Sequence, residues 1–408
     1  MPATPTLRTL PDRAMTRANI KTPVYLDYHA STPVDPRVMD AMLPWFTEKF
    51  GNPHSTGHGF GREAAEAIEI ARGQVASLIG ADPREIIFTS GATESNNLAI
   101  KGAARFERKH RDRRNKIVSL VSEHKCVIES VKDMAQEGFE TVMLPVLSSG
   151  KVDLAELDRA VDDNTLLVSI MTANNKIGVV QPVEEIGAMT RERGVLFHSD
   201  GAQAVAKIPV DVERAKLDLL SISGHKIYGP KGIGVLYVRR RPRTRVEPLF
   251  SGGGQERTIR SGTLPTPLVI GLGEACAMAQ EYLAEEAGTM RILRDRLLKG
   301  VHERIAGVAL NGDEEDRLPG NISMRFSGVD ALQMIEIAPD LAFSTGSACT
   351  SDVVEPSHVL RAIGLSDEEA GSSIRIGLGR FTTADEVDFA VDYLAEAIGR
   401  CRANGSAA

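Results

Sequence analysis

The stretch Glu85-Ile-Ile-Phe-Thr-Ser-Gly-Ala-Thr-Glu-Ser-Asn96, continuing into Asn97-Leu-Ala-Ile-Lys-Gly102, decides the fold class. A short apolar run of strand length enters a turn of small and hydroxyl residues, and a helical pattern follows at once. Such a turn aims free N–H groups, the positive end of a helix and Thr/Ser hydroxyls in one direction, which suits an anion such as phosphate. Ordinary helix capping needs only one residue of this kind. The stretch therefore gains meaning from what lies around it.

Outward from it the same alternation repeats. Lys116-Ile-Val-Ser-Leu-Val-Ser122, Leu166-Leu-Val-Ser-Ile-Met171 and Val195-Leu-Phe-His198 have strand length and β-branched content, and helical patterns cover residues 62–79, 126–137, 154–161 and 183–193. Strands and helices alternating at this spacing imply an α/β fold whose largely parallel sheet is covered by helices on both faces. Ligands of such sheets bind beyond the carboxyl ends of the strands. After about residue 284 the pattern changes to a charged helix over 285–305, shorter strands, and a last helix opened by a Thr383/Glu386 capping box. Val387, Val391, Leu394 and Ile398 give that helix one buried stripe. The expected organisation is a large domain over 36–284 and a smaller α+β domain made of 22–35 with 285–408.

Composition narrows the class. The 408 residues are 42% hydrophobic and 25% charged, which fits a globular chain with a sizeable core. Forty-eight Lys and Arg against 55 Asp and Glu give a net charge of −7, which argues against a nucleic-acid-coating surface. No apolar run approaches the ~18 residues of a membrane span. Cys126, Cys276, Cys349 and Cys401 form no CxxC pair, so neither a zinc knuckle nor a disulfide framework is indicated and a reducing, cytoplasmic setting is expected. Residues 1–21 carry three Arg, one Lys, one Asp and three Pro without a helical stripe, and read as a disordered extension.

The remaining strand ends carry reactive or polar groups. They are Ser122-Glu-His124, Met171-Thr-Ala-Asn-Asn-Lys-Ile-Gly178, Phe197-His-Ser-Asp-Gly-Ala-Gln203 and Leu219-Leu-Ser-Ile-Ser-Gly-His-Lys-Ile-Tyr-Gly-Pro-Lys-Gly-Ile-Gly234. The last delivers Lys226 into a Gly/Pro-rich turn beside His225. An amine that forms a Schiff base must be partly desolvated and near other cations, so that it is neutral near pH 7. If Lys226 holds pyridoxal phosphate, the other residues acquire roles. Asp200 faces the pyridine nitrogen and His124 the ring, Asn175 and Gln203 meet the ring oxygen, and Thr93, Ser223 and His225 take the phosphate. A surface lysine in a loop would leave the matching strand ends without explanation.

These stretches, with SEHKCV, ANN-IGVVQP, GGGQER-IRSGT, STGSACTS, EPSHVLRAIG and SSIRIGLGRFTT, resemble cysteine desulfurases of the iron–sulfur-cluster (Isc/Nif) type. That family is a branch of the class V aminotransferases within the fold-type I pyridoxal-phosphate enzymes. The resemblance runs from about Tyr25 to Arg402. It implies a pyridoxal 5'-phosphate site that includes Ala92 and Thr93, with Lys226 shuttling the Cα proton and His124 deprotonating the substrate thiol. Cys349 would attack the sulfur of L-cysteine, leaving alanine and an enzyme persulfide, and Arg375 would clamp the substrate carboxylate. Thr263 matches the residue that reaches the cofactor phosphate of a neighbouring subunit, which implies a homodimer. No metal site is implied.

Cys126, Cys276 and Cys401 sit in helical patterns that fit packing, whereas Cys349 lies in the small-residue stretch Ser344-Thr-Gly-Ser-Ala-Cys-Thr-Ser351. A loop running to about Pro356, with a helix from near Ser357, fits a cysteine that carries sulfur to an external acceptor. Three departures from the family stand out. Lys176 follows Asn175 where the family shows Glu, residues 1–21 have no counterpart, and the chain stops at Ala408, six residues after Arg402. The family's longer tail docks a cluster scaffold, so weak docking to such a scaffold is expected. The acceptor stays open among a cluster scaffold, a tRNA-thiolation relay and a DNA-sulfur-modification system. Alternatives are a selenocysteine lyase or β-lyase, or a non-catalytic relay subunit of the same fold. A nicotinamide dehydrogenase is disfavoured because no G-x-G-x-x-G follows an early strand.

Overall fold

The structure, a computed structural model, describes residues 20–345 and 356–405. Its centre is a seven-stranded sheet in the order Ile86–Thr89, Gly234–Val238, Leu219–Ser223, Leu196–Asp200, Thr165–Ser169, Lys116–Leu120, Glu140–Leu144. Gly234–Val238 runs antiparallel to both its neighbours and the other pairs are parallel. The α/β class and mostly parallel sheet expected from the sequence are thus borne out. Two strands were not expected. Glu140–Leu144 opens on two polar residues and buries only its last residue, and Gly234–Val238 follows directly on a Gly-rich turn. Gly234 lies so close to the next strand's turn that a Cβ there would come within 2.6 Å of Gly91 Cα.

Alternating strand residues feed two different cores, as the period of 2 requires. Phe88, Leu120, Val168, Phe197, Ile222 and Tyr237 pack on one face with Ile68 and Val75 of the helix Gly59–Leu78 and with Val269 and Leu272. Ile87, Ile117, Leu167, Leu219 and Leu236 pack on the other with the helices Ala92–His110 and Lys125–Gln136. A further core surrounds an antiparallel sheet ordered Ser344–Thr345, Ser373–Gly377, Asn321–Phe326, Val308–Leu310. Val24 and Leu26 join that core, as do Val387, Val391, Leu394 and Ile398 of the last helix, Ala384–Gly405. The expected capping box is present: Thr383 N–H donates to Glu386 at 2.8 Å, and Glu386 N–H donates to Thr383 Oγ1 at 3.2 Å.

The charged helix expected from residue 285 is the second half of a longer one, Thr266–Arg304. Its first half buries Val269, Leu272, Ala275 and Cys276 against the large sheet, and its second half buries Leu293, Leu297 and Val301 in the other core. One helix serving two cores switches its apolar face midway, and a single-stripe reading of its sequence breaks there. No helix of the described residues is long and apolar enough to cross a membrane.

Candidate active site

Beyond the carboxyl ends of the large-sheet strands lies a cavity of about 440 Å³. Nine of the residues singled out in the sequence line it: Ala92, Thr93, His124, Asn175, Asp200, Gln203, Ser223, His225 and Lys226. One end is the start of the helix Ala92–His110. Gly91, with φ 151°, precedes it in a conformation that favours glycine, and the first residues of that helix, Ala92 and Thr93, line the cavity where helix N–H groups lack intrahelical partners. Glu94 in this turn accepts from Arg260 Nε at 2.8 Å, tying the segment that leads to Thr263 onto the cradle. Thr263 itself is exposed and stands outside the cavity lining.

Asp200 ends its strand buried, accepting from Asn96 Nδ2 at 2.7 Å and from Ala202 N–H at 2.9 Å. Lys226 closes a single 3-10 turn, Gly224–Lys226, after the strand Leu219–Ser223. Its Nζ donates to the carbonyls of His29 and Ala30, each at 2.7 Å. Burial, reinforced by the Arg375 cation and opposed by Asp27 and Asp200, lowers its pKa to about 8. A sizeable fraction of this amine is therefore neutral near pH 7.5. His225 is held at about 4 by burial and by Lys226, Lys231 and Lys207 nearby.

His124 caps the helix Lys125–Gln136, its Nδ1 accepting from Cys126 N–H at 3.2 Å. Enclosure by the surrounding protein lowers its pKa, Asp200 pulls it up, and Lys226, Lys176 and Lys125 push it down further. Asn174 and Asn175 divide their labour. Asn174 is buried and braces the turn through Ser122 O and the N–H groups of Lys176 and Ile177, while Asn175 lines the cavity. Gln203 is more engaged than its sequence position indicates: Nε2 donates to His29 O at 2.9 Å and Oε1 accepts from Lys207 Nζ at 2.9 Å.

Arg375 lies beside the cavity rather than in its lining. Its Nη1 donates to Asn175 O at 2.8 Å, and Nη2 donates to Asp27 at 2.6 Å and to Ser344 Oγ at 3.0 Å. Cys349 falls outside the described residues. The chain enters that segment after Ser344, which donates to Asp27 at 2.8 Å, and leaves it before His358, whose Nε2 bonds Glu123 O at 2.9 Å.

The sequence reading assigned Cys126 to packing, and the structure corrects this. The side chain lines the cavity, 3.1 Å from Asn96 Nδ2 and 3.0 Å from His124 Nδ1, with its thiol pushed up to about 12 chiefly by burial. Cys276 and Cys401 are buried packing residues. Asp27, His29, Asn96 and Lys207 were missed. The first two precede any recognisable strand end, Asn96 sits inside a helix, and Lys207 lies seven residues past the nearest strand.

The donor set suits pyridoxal phosphate. A partly neutral amine answers an aldehyde, a buried carboxylate answers a protonated pyridine nitrogen, and a helix start with hydroxyls answers a phosphate. These parts share one cavity.

Comparison with known proteins agrees. The family model described as aminotransferase class-V matches residues 24–389. The cysteine desulfurase IscS of Rickettsia rickettsii (strain Iowa) is 56% identical over 385 residues, covering 94% of this chain and 93% of that protein. Among solved structures, a NifS-like protein superposes with a TM-score of 0.86 at 37% identity, covering 92% of this chain and 99% of its own. SspA in complex with cysteine superposes at 0.77 with 38% identity, covering 88% and 99%. The chain belongs to the class-V aminotransferase family.

Proposed function

We propose that the chain is a pyridoxal-phosphate-dependent cysteine desulfurase that converts L-cysteine to L-alanine and leaves the sulfur as a persulfide on Cys349. The observation that carries this reading is the meeting of Lys226, Asp200, His124 and the Thr93 helix start in one cavity. The 56% identity to a cysteine desulfurase and the likeness to a cysteine-bound relative support it.

Bound in the cavity, pyridoxal phosphate supplies an aldehyde for the amines and a ring that withdraws electrons from the substrate's Cα. The chain's residues do the rest. Thr93, Ser223 and His225, with the helix start at Ala92, hold the phosphate, and Asp200 keeps the pyridine nitrogen protonated. Asn175 and Gln203 hydrogen-bond the ring oxygen. Arg375 fixes the substrate carboxylate with its planar fork. Lys226 takes and returns the Cα proton, and His124, neutral at pH 7, accepts the thiol proton. The Cys349 thiolate then attacks the substrate sulfur. A new S–S bond forms, the substrate's C–S bond breaks, and protonation of the carbon left behind yields alanine.

We read 36–284 as the large domain and 22–35 with 285–408 as the small one; the separate cores support that division. A homodimer fits the exposed Phe46, Phe50 and Phe60, and Thr263 would reach the partner's phosphate site; the cysteines, without a disulfide framework, fit a cytoplasmic setting. The persulfide sulfur passes to an acceptor protein for iron–sulfur cluster assembly or thiolation.

The test is turnover by the purified protein. With pyridoxal phosphate, L-cysteine and a thiol reductant, alanine and sulfide should appear in equal amounts, and borohydride should fix the cofactor to Lys226. Pyruvate and ammonia in place of alanine would mean a β-lyase.

A further inference from the structure

Two residues beyond Lys226 the backbone takes a course that side chains disfavour: Tyr228 has φ 65°. A non-glycine residue persists in this left-handed region where its surroundings over-determine it, and such residues cluster at functional sites. Tyr228 is held at every polar atom. Its N–H donates to Thr32 Oγ1 at 2.8 Å, its carbonyl accepts from Asp35 N–H at 3.0 Å, and its phenol oxygen accepts the backbone N–H of Arg380 at 2.5 Å. The Arg380 guanidinium sits 4.1 Å from the Tyr228 ring centroid and joins Asp35 at 2.7 Å to Glu286 at 2.6 Å.

The same short segment grips the lysine turn. Thr32 donates through its backbone N–H and its hydroxyl to His225 O, at 2.9 and 3.1 Å. Three residues earlier, His29 and then Ala30 supply the carbonyls that take Lys226 Nζ. Residues 29–35 are thus stitched to 225–228 on both sides of Lys226. Arg380, which follows the small-sheet strand Ser373–Gly377, locks the far end, and Glu286 anchors it to the long helix.

We propose that Tyr228, held by Thr32 and Arg380, is a positioning residue that sets the direction from which the Lys226 amine meets the cofactor aldehyde. The proposal rests on the reading of Lys226 as the cofactor lysine. The charged and titratable groups facing Lys226 are Arg375, Asp27, Asp200, Lys207, His225 and His124. Removing the hydroxyl of Tyr228 or of Thr32 leaves all six in the chain, so a changed amine reactivity reports geometry.

The experiment starts from holoenzyme stripped of cofactor and reloaded with pyridoxal phosphate across a pH series. Borohydride traps the adduct and mass spectrometry counts it at Lys226. Tyr228→Phe and Thr32→Val should reload about tenfold more slowly at pH 7.5, with the pH of half-maximal rate displaced from that of the unmutated protein. Arg296→Ala, which breaks the exposed pair to Asp388, serves as a stability control and should reload normally. Reloading of both variants within twofold, with an unchanged midpoint, would overturn the proposal. If Tyr228→Phe does not fold, Thr32→Val decides alone. Trapping at another lysine in the unmutated protein would overturn the cofactor-lysine reading, and this proposal with it.

Discussion

Arg375 and Asp27 form an ion pair of 2.6 Å beside Asn175, and the pair leaves Arg375 Nε buried with no hydrogen-bond partner among the described residues. Asp27, Asn175 and Ser344 take three of the five guanidinium N–H donors and hold the fork in place, which leaves donors for an incoming group. A substrate carboxylate satisfies such a donor, and hydrogen bonds to charged groups contribute ~1.5–3 kcal/mol. Lysine keeps the charge but has no fork. Arg375→Lys should raise KM for cysteine about 10- to 150-fold with a smaller change in kcat. Steady-state kinetics checks this, and an unchanged KM would remove Arg375 from substrate binding.

Glu123 is fully buried next to His124; Met171 N–H donates to one carboxyl oxygen, and the other lacks a partner among the described residues. Burial and the nearby Asp200 charge raise its pKa well above the ordinary range, so the folded protein holds a proton there that the unfolded chain releases. Between the ordinary glutamate pKa and the raised one, the native state binds more protons, and stability falls as pH rises by roughly 1.4 kcal/mol per unit. Glu123→Gln keeps the shape and abolishes that titration. Its denaturant midpoint should lose less between pH 5.5 and 8 than that of the unmutated protein. Parallel pH profiles for the two proteins would refute the assignment.

These two residues show what the sequence could and could not disclose. The strand ends were legible because strand length, a Gly-rich turn and a polar residue recur in order, and so Thr93, His124, Asn175, Asp200 and Lys226 could be placed on one sheet edge. Asp27 could not be placed there. It reaches Arg375 only because the chain near it bridges to Gly377 in the small sheet, a pairing between segments about 350 residues apart. Glu123 was masked by its neighbour: in Ser-Glu-His the exposed-looking carboxylate turns inward, while the histidine faces the cavity. The helix Thr266–Arg304 hid its first half because its buried face shifts between two cores.

Lys176 changes the electrostatics of the site by a route other than the one its sequence position indicates. The ring-binding Asn175 is its neighbour, yet its charge also reaches His124 and lowers that imidazole's pKa. Lys176→Glu replaces a cation with an anion and should raise the His124 pKa. A neutral His124 is needed to take the thiol proton, so the acid limb of kcat/KM should move to higher pH by the same amount. An unmoved limb would mean that solvent screens Lys176 from the imidazole.

For Cys349 the expected result rests on its small-residue sequence. Cys349→Ser should lose protein persulfide and sulfide release while still taking up cofactor at Lys226, because Lys226, Asp200, Thr93 and the other residues assigned to the cofactor are unchanged. Mass spectrometry of the persulfide adduct and the cofactor's visible absorption separate the two effects. Turnover near the unmutated rate would place the nucleophile elsewhere, and Cys126, already in the cavity wall, would be the next residue to replace.

The exposed rings of Phe46 and of the stacked pair Phe50 and Phe60 make the dimer testable without touching the cavity. These side chains are 55%, 67% and 53% exposed in the single chain, and Phe50 stacks on Phe60 with ring centroids 5.5 Å apart. Monomeric proteins rarely leave such rings grouped in water. Covering one phenylalanine is worth ~1.5–3 kcal/mol, and two-fold symmetry counts each residue twice. Phe50→Asp should therefore weaken dimerisation about 10²- to 10⁴-fold, since the charge would have to be desolvated as well. Its monomer should lose little stability, because the side chain is 67% exposed in its own chain and gives up mainly the stack on Phe60. Sedimentation of both proteins over a concentration series decides. A dimer for the unmutated protein and a monomer for Phe50→Asp at micromolar concentration is the expected pair. If Phe50→Asp also loses cofactor affinity as it dissociates, Thr263 from the partner is the residue to test next, since it stands exposed and outside its own chain's cavity. A dimer that survives Phe50→Asp unchanged would mean that the partner meets another face.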